Sequence, residues 1–136
     1  VMSLGRILVV DDEADMRKTL RLVLTRAGYD VVEAENGEKA IEVIKSAEGA
    51  HMIDTIICDV YMPKMNGLEA IAYFRSQFPS VPVIVLTGQT DRQWADLFFK
   101  QGVSDYLVKP VEPEKIIDAV RKTTRERILL RDSSQT

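Results

Sequence analysis

Residues 55–67 read "TIICDVYMPKMNG". A β-branched apolar run ends on Asp59, passes through Pro63, and closes on Asn66-Gly67 before a new amphipathic pattern starts at Leu68. A carboxylate at the end of a buried-looking strand has two readings: a turn or cap residue, or a reactive group held on a rigid element. The same grammar recurs on both sides. "RILVV" (6–10), "DVVEA" (30–34), "TIICDV" (55–60), "VPVIVLT" (81–87) and "DYLV" (105–108) read as strands, with Pro82 near the start of the fourth, where a missing N–H is tolerated. Helical spacing fills the intervals. It runs through Leu20, Val23, Leu24 and Ala27 with Gly28 as a stop, through 38–47 with Ala40, Ile41 and Ile44 inward, and through Leu68, Ile71, Ala72 and Phe78. Two more helices are expected over 91–101, ended by Gly102, and from 113 to about 131. Five strand-helix pairs with short links and no internal repeat predict an α/β fold, a doubly wound parallel sheet covered on both faces by right-handed crossovers.

That architecture gives the polar residues a common address. Asp11 and Asp12 follow the first strand, Asp59 ends the third, Thr87 ends the fourth and Lys109 follows the fifth. All carboxyl ends of an open parallel sheet share one edge, where ligands bind. Three carboxylates gathered there repel one another unless a proton or a cation intervenes. All-oxygen ligands of this number suit Mg²⁺, and Mn²⁺ as a substitute, but not zinc. An Asp beside such an ion can act as a nucleophile toward phosphorus, giving an aspartyl phosphate. Lys109 would then offset charge on the carboxylate and on the phosphoryl group, and the Thr87 hydroxyl would hold an equatorial oxygen.

Composition excludes other chemistries. At 136 residues, with 46% apolar and 29% charged positions, the chain is one ordinary globular domain. No window approaches a membrane span and no secretory signal opens the sequence, so a cytoplasmic location is expected. Cys58 is the only cysteine and lies within an apolar strand, which rules out an internal disulfide and suits an inert buried thiol. His51, also alone, reads as a solvated loop residue, so zinc and histidine-based nucleophilic catalysis lack their usual parts. Residues 121–132 hold five Arg or Lys against two acids, a net +3, which leaves −6 of the total −3 for the rest of the chain. An acidic body with a short basic tail is a poor nucleic-acid binder in its own right.

Taken together, "DD" after the first strand, "DVYMPKMNG", "VLTG" and "DYLVKP" resemble the receiver domain of two-component response regulators, over roughly residues 6–122. The resemblance implies the flavodoxin-like strand order 2-1-3-4-5. It implies that Asp59 accepts a phosphoryl group from a histidine kinase or a histidine phosphotransfer protein. It also implies that Asp11, Asp12, Asp59 and the Tyr61 backbone carbonyl bind Mg²⁺. On phosphorylation, Thr87 would be drawn toward the new anion and Tyr106 would turn inward, changing the face formed by the fourth helix, fifth strand and fifth helix. Lys109-Pro110 is expected to be cis. Tyr61, two beyond the nucleophile, and Gln89, two beyond Thr87, would flank the path of the hydrolytic water, Tyr61 narrowing it. Such a domain is a switch that catalyses its own phosphorylation from small phosphodonors and its own hydrolysis, rather than an enzyme proper.

Each residue also has a plainer reading. Asp11 alone would be a helix cap, with Asp12-Glu13 complementing the helix dipole. Thr87 alone would be a β-branched strand residue, and Tyr106 alone a core residue. An aspartate-nucleophile phosphohydrolase is the rival enzyme, but it would carry a second Asp where Tyr61 stands. A flavodoxin-like cofactor binder would carry a Ser/Thr-rich phosphate loop in place of "DDEAD". A receiver-like docking module that is never phosphorylated is a further alternative. Trp94, Phe98 and Phe99 cannot all face inward from one helix, so at least one exposed aromatic is expected on the signalling face. Residues 1–5 are expected to be disordered or of expression origin. Residues 123–136, with Ile128, Leu129 and Leu130 among arginines, are expected to lead to an output domain or to a phosphorylation-dependent homodimer contact.

Overall fold

The computed structural model describes residues 3–46, 53–60, 67–88 and 92–134, excepting the side chains of 67, 92–95 and 131–134. Five strands alternate with five helices: β1 Arg6–Val10, α1 Ala14–Arg26, β2 Asp30–Ala34, α2 Gly37–Lys45, β3 Thr55–Asp59, α3 Gly67–Gln77, β4 Val83–Thr87, α4 Arg92–Lys100, β5 Asp105–Val108 and α5 Pro113–Ser134. All strand pairs are parallel, in the order β2-β1-β3-β4-β5. The expected fold class and strand order are both found. Among the described residues no helix is long and apolar enough to cross a membrane.

The two faces of the sheet explain why β3 and β4 are buried at every position. Alternate side chains point to opposite sides, and here both sides are covered. Leu8, Val10, Ile56, Cys58, Val83 and Val85 pack with Ala40, Ile44, Ala70, Ile71, Phe74 and Phe98 of α2, α3 and α4. Ile7, Val9, Ile57, Ile84 and Leu86 pack with Leu20 and Leu24 of α1 and Ile116, Ala119 and Val120 of α5. Burying a side chain such as Phe74 or Phe98 is worth about 1.5–3 kcal/mol, so each face contributes more than any single polar contact.

Local chemistry sets the helix ends. The Asn36 side chain accepts a hydrogen bond from the Lys39 N–H at 2.9 Å, which caps α2. Gly28 and Gly102 adopt φ of +103° and +85° just after α1 and α4, where a chain reversing into a strand needs the left-handed region.

Several boundaries differ from expectation. The strand expected from 81 begins at Val83, because Pro82 has no N–H to give the ladder; its carbonyl still accepts from Ile56 N at 2.9 Å. β3 ends at Asp59 instead of Val60, and α2 ends at Lys45 instead of 47. On α3, Ala72 is exposed, and the inward positions are Ala70, Ile71 and Phe74, which form one helical stripe. α5 runs on to Ser134, through position 122 without a break. Just beyond that position, the Thr123 and Thr124 hydroxyls lie 3.0 and 2.8 Å from the Thr55 hydroxyl, tying the helix to the start of β3.

Candidate functional site at the carboxyl edge of the sheet

The strand register brings the acidic residues and the lysine to one side of one edge. Val9 pairs with Ile57, so Asp11 and Asp59, each two residues further on, stand in line on the α1/α5 face. Leu86 pairs with both Asp59 and Leu107, and Lys109 lies two beyond Leu107 on that same face. The Lys109 ammonium lies 3.1 Å from Asp11 Oδ2 and 3.1 Å from Asp59 Oδ2. Thr87 pairs with Val108, and Tyr106 pairs with Val85, so Thr87 and Tyr106 share the opposite face.

Backbone bonds hold these positions after the strands end. Asp11 N donates to Ala34 O at 3.1 Å, Val60 N to Leu86 O at 3.2 Å and Lys109 N to Thr87 O at 2.8 Å. The Lys109-Pro110 bond is cis, as expected. Asp11 is not the cap of α1, a position that Glu13 holds without a side-chain cap bond; its Oδ1 accepts from Glu13 N at 2.9 Å in the turn before the helix, while Oδ2 faces Lys109.

Burial sets the electrostatics. Asp11 is fully buried, and Asp59 and Thr87 are nearly so, whereas Asp12 is exposed. Burial pushes the Asp11 carboxyl above its ordinary 3.8; the Glu13 N–H and Lys109 pull against this, and the Asp59 charge adds to the rise. Burial alone would lower the Lys109 ammonium, but Asp11 and Asp59 outweigh it and leave the group above its ordinary 10.5. The Cys58 thiol is buried and pushed up, first by burial and then by Asp59 and Asp11, which keeps it an inert thiol.

Carboxylate oxygens of Asp11, Asp12, Glu13 and Asp59 lie within 4.8 Å of one another. One lysine does not neutralise four acids, and an oxygen-only donor set of this size fits a hard divalent cation. Glu13, expected only as a helix-dipole residue, belongs to this cluster, with Oε1 3.8 Å from Lys109 Nζ. Its position directly after the acidic pair was the signal available in the sequence.

Phe98 is fully buried and its ring lies 5.7 Å from that of the half-buried Tyr106, while Phe99 is 51% exposed. The expected exposed aromatic on α4 is therefore present. Tyr61, Gln89 and His51, and the side chain of Trp94, lie outside the described residues.

Comparison with known proteins shows the family and the fold. A family model described as the response regulator receiver domain matches residues 7–121. The chain is 35% identical over 121 residues to the chemotaxis protein CheY of Thermotoga maritima, covering 88% of this chain and 98% of that protein. It is 38% identical over 131 residues to the transcriptional regulatory protein ResD of Bacillus subtilis, covering 96% of this chain but only 50% of ResD. The chain thus spans nearly the whole of the first relative and about half the length of the second. A solved response regulator receiver domain protein from Clostridium thermocellum matches with a TM-score of 0.85 at 30% identity, over 93% of this chain and 98% of that one. The signal receiver domain of an HD domain-containing protein from Pseudomonas fluorescens matches at 0.81 and 26% identity, over 90% and 96% of the two chains.

Proposed function

The chain belongs to the response regulator receiver domain family of two-component systems, which are signalling switches, and from that premise we propose that Asp59 is its phosphoacceptor. The observation that carries this reading is the Lys109 ammonium shared at 3.1 Å between two buried carboxylates on one sheet edge. A carboxylate oxygen of Asp59 attacks phosphorus of a phosphohistidine, the P–N bond breaks, and the imidazole leaves with its electron pair and takes up a proton. Lys109 stays with the charge as it moves from carboxylate to phosphoryl oxygens, which needs no large reorganisation. The Thr87 hydroxyl donates to one of those oxygens.

Asp11, Asp12, Asp59 and the Tyr61 carbonyl would hold Mg²⁺, with Mn²⁺ able to replace it. The ion, when bound, neutralises the acidic cluster and the incoming phosphoryl charge. Thr87 and Tyr106 share a sheet face, so a hydroxyl moving toward the edge vacates space beside the tyrosine ring. That couples the phosphoryl group to the surface of α4, β5 and α5.

The donor is a histidine kinase or histidine phosphotransfer protein. Residues 6–122 form the receiver unit; α5 runs past it to Ser134, and residues 123–136 lead toward an output domain, an output protein or a second copy of the chain. Incubation with Mg²⁺ and a small acyl phosphate tests the reading by intact mass. Gain of one phosphoryl group is expected, lost in Asp59→Asn and in chelator. No gain under any condition would leave an unphosphorylated docking module.

A further inference from the structure

Arg17 joins three elements that meet at the acidic pocket, and none of the site chemistry above uses it. Its Nη1 donates to the Asp11 backbone oxygen at 2.6 Å. Its Nε lies 3.4 Å from Glu33 Oε1 on β2, with the two side chains only 17% and 29% exposed. The other Glu33 oxygen is taken by Arg21 Nε, so two arginines on successive turns of α1 hold the carboxylate. The chain of contacts therefore runs from β2 through α1 to the end of β1.

The oxygen that Arg17 grips belongs to the peptide linking Asp11 to Asp12. Asp11 N is already fixed by Ala34 O. Holding the carbonyl as well sets the plane of that peptide, and with it the directions in which both carboxylates leave the backbone. Asp12 is exposed, so burial does not fix its direction as it does for Asp11. Outer contacts of this kind are known to tune metal ligands.

We propose that Arg17, anchored by Glu33, is the positioning residue that aims Asp11 and Asp12 at the divalent cation. The inference rests on the metal-holding role of those acids stated above. Charge and position act in opposite directions here, which makes the idea testable. Arg17 is a cation beside a cation site, and removing it leaves Glu33 with less compensation. Electrostatics alone would therefore tighten metal binding in Arg17→Ala, whereas loss of orientation would weaken it.

The measurement is a titration of the full chain with Mn²⁺, read by loss of the free-ion electron paramagnetic resonance signal, with no phosphodonor present. Arg17→Ala is expected to bind roughly tenfold more weakly than the wild type. Arg17→Lys keeps the charge but not the two-pronged geometry, and is expected to fall between them. Lys18→Gln removes an exposed charge from the same helix without touching Asp11, and is expected to bind as the wild type does. Should Arg17→Ala fail to fold by circular dichroism, Arg17→Lys decides alone. Wild-type binding that is unchanged or tightened in the Arg17 variants would overturn the positioning role and leave the metal site standing. Absence of Mn²⁺ binding in the wild type would overturn the metal site itself, and this inference with it.

Discussion

Lys109 Nζ stands 3.1 Å from Asp59 Oδ2 across fifty positions of sequence. Leu86 of β4 explains the meeting, because it pairs with Asp59 on one side and with Leu107 on the other. The lysine side chain thus passes over the end of the intervening strand to reach the acid. The contact serves the fold as well as the proposed chemistry, since it compensates a carboxylate that is only 3% exposed.

Lys109→Met is accordingly expected to cost roughly 2–3 kcal/mol, the range for hydrogen bonds to a charged partner left buried. A urea midpoint at neutral pH in chelator would measure it. An unchanged midpoint would show that the ammonium contributes nothing to the stability of the fold.

The pH dependence of the metal-free protein has a defined sign. Asp11 has its carboxyl raised above 3.8 in the folded state, chiefly by burial. The favourable contribution is therefore fully present below the unfolded value and is lost as pH rises through the folded one. Lys109, raised above 10.5, contributes fully at neutral pH and loses its part only as pH climbs through its folded value. In chelator, wild type should lose stability relative to Asp11→Asn as pH rises from about 4. A difference curve that is flat or climbs with pH would contradict this.

Gly102→Ala should destabilise by about 1–2 kcal/mol, the usual penalty of a left-handed backbone for an L-residue. Gly102 has φ +85°, and an added Cβ would lie 3.1 Å from Arg75 Nε. Arg75 cannot easily yield, because its Nη1 donates to Pro79 O at 2.9 Å. Gly88→Ala is the control: its Cβ would meet nothing within 4 Å. Equal midpoints for the two variants in thermal unfolding would remove the steric account.

Neighbouring phenylalanines on α4 should behave in opposite ways. Phe98→Ala empties a fully buried site beside Tyr106 and is expected to cost about 3–5 kcal/mol. Phe99→Ala, at a position 51% exposed, should stay within about 0.5 kcal/mol of wild type. Chemical unfolding separates the two directly. A Phe99 variant that is stable yet no longer engages a partner would place that ring in a contact.

Alternation of apolar runs with helical spacing was enough to reveal five strand-helix units, because buried parallel strands and crossover helices leave different periods in the chain. The same logic placed Asp11, Asp12, Asp59, Thr87 and Lys109 at one edge, since strand ends in a parallel sheet converge whatever the loops do. Ala72 and Phe74 show the limit. Both fit a helix, and which of them points inward depends on how α3 is rotated against the sheet, a quantity the local pattern of apolar residues does not carry.

What the sequence by itself determined, then, was which residue types stand at the strand ends, and hence the chemistry on offer. Tertiary structure alone decided the rest: that Asp11 is buried while Asp12 is exposed, that Lys109 divides itself between two acids, and that Arg17 reaches back from α1 to the Asp11 carbonyl while bound to Glu33. The physical reason is register and reach. A one-residue slip in a strand sends a side chain to the other face, and a guanidinium finds its partners through space, so neither is written in local composition.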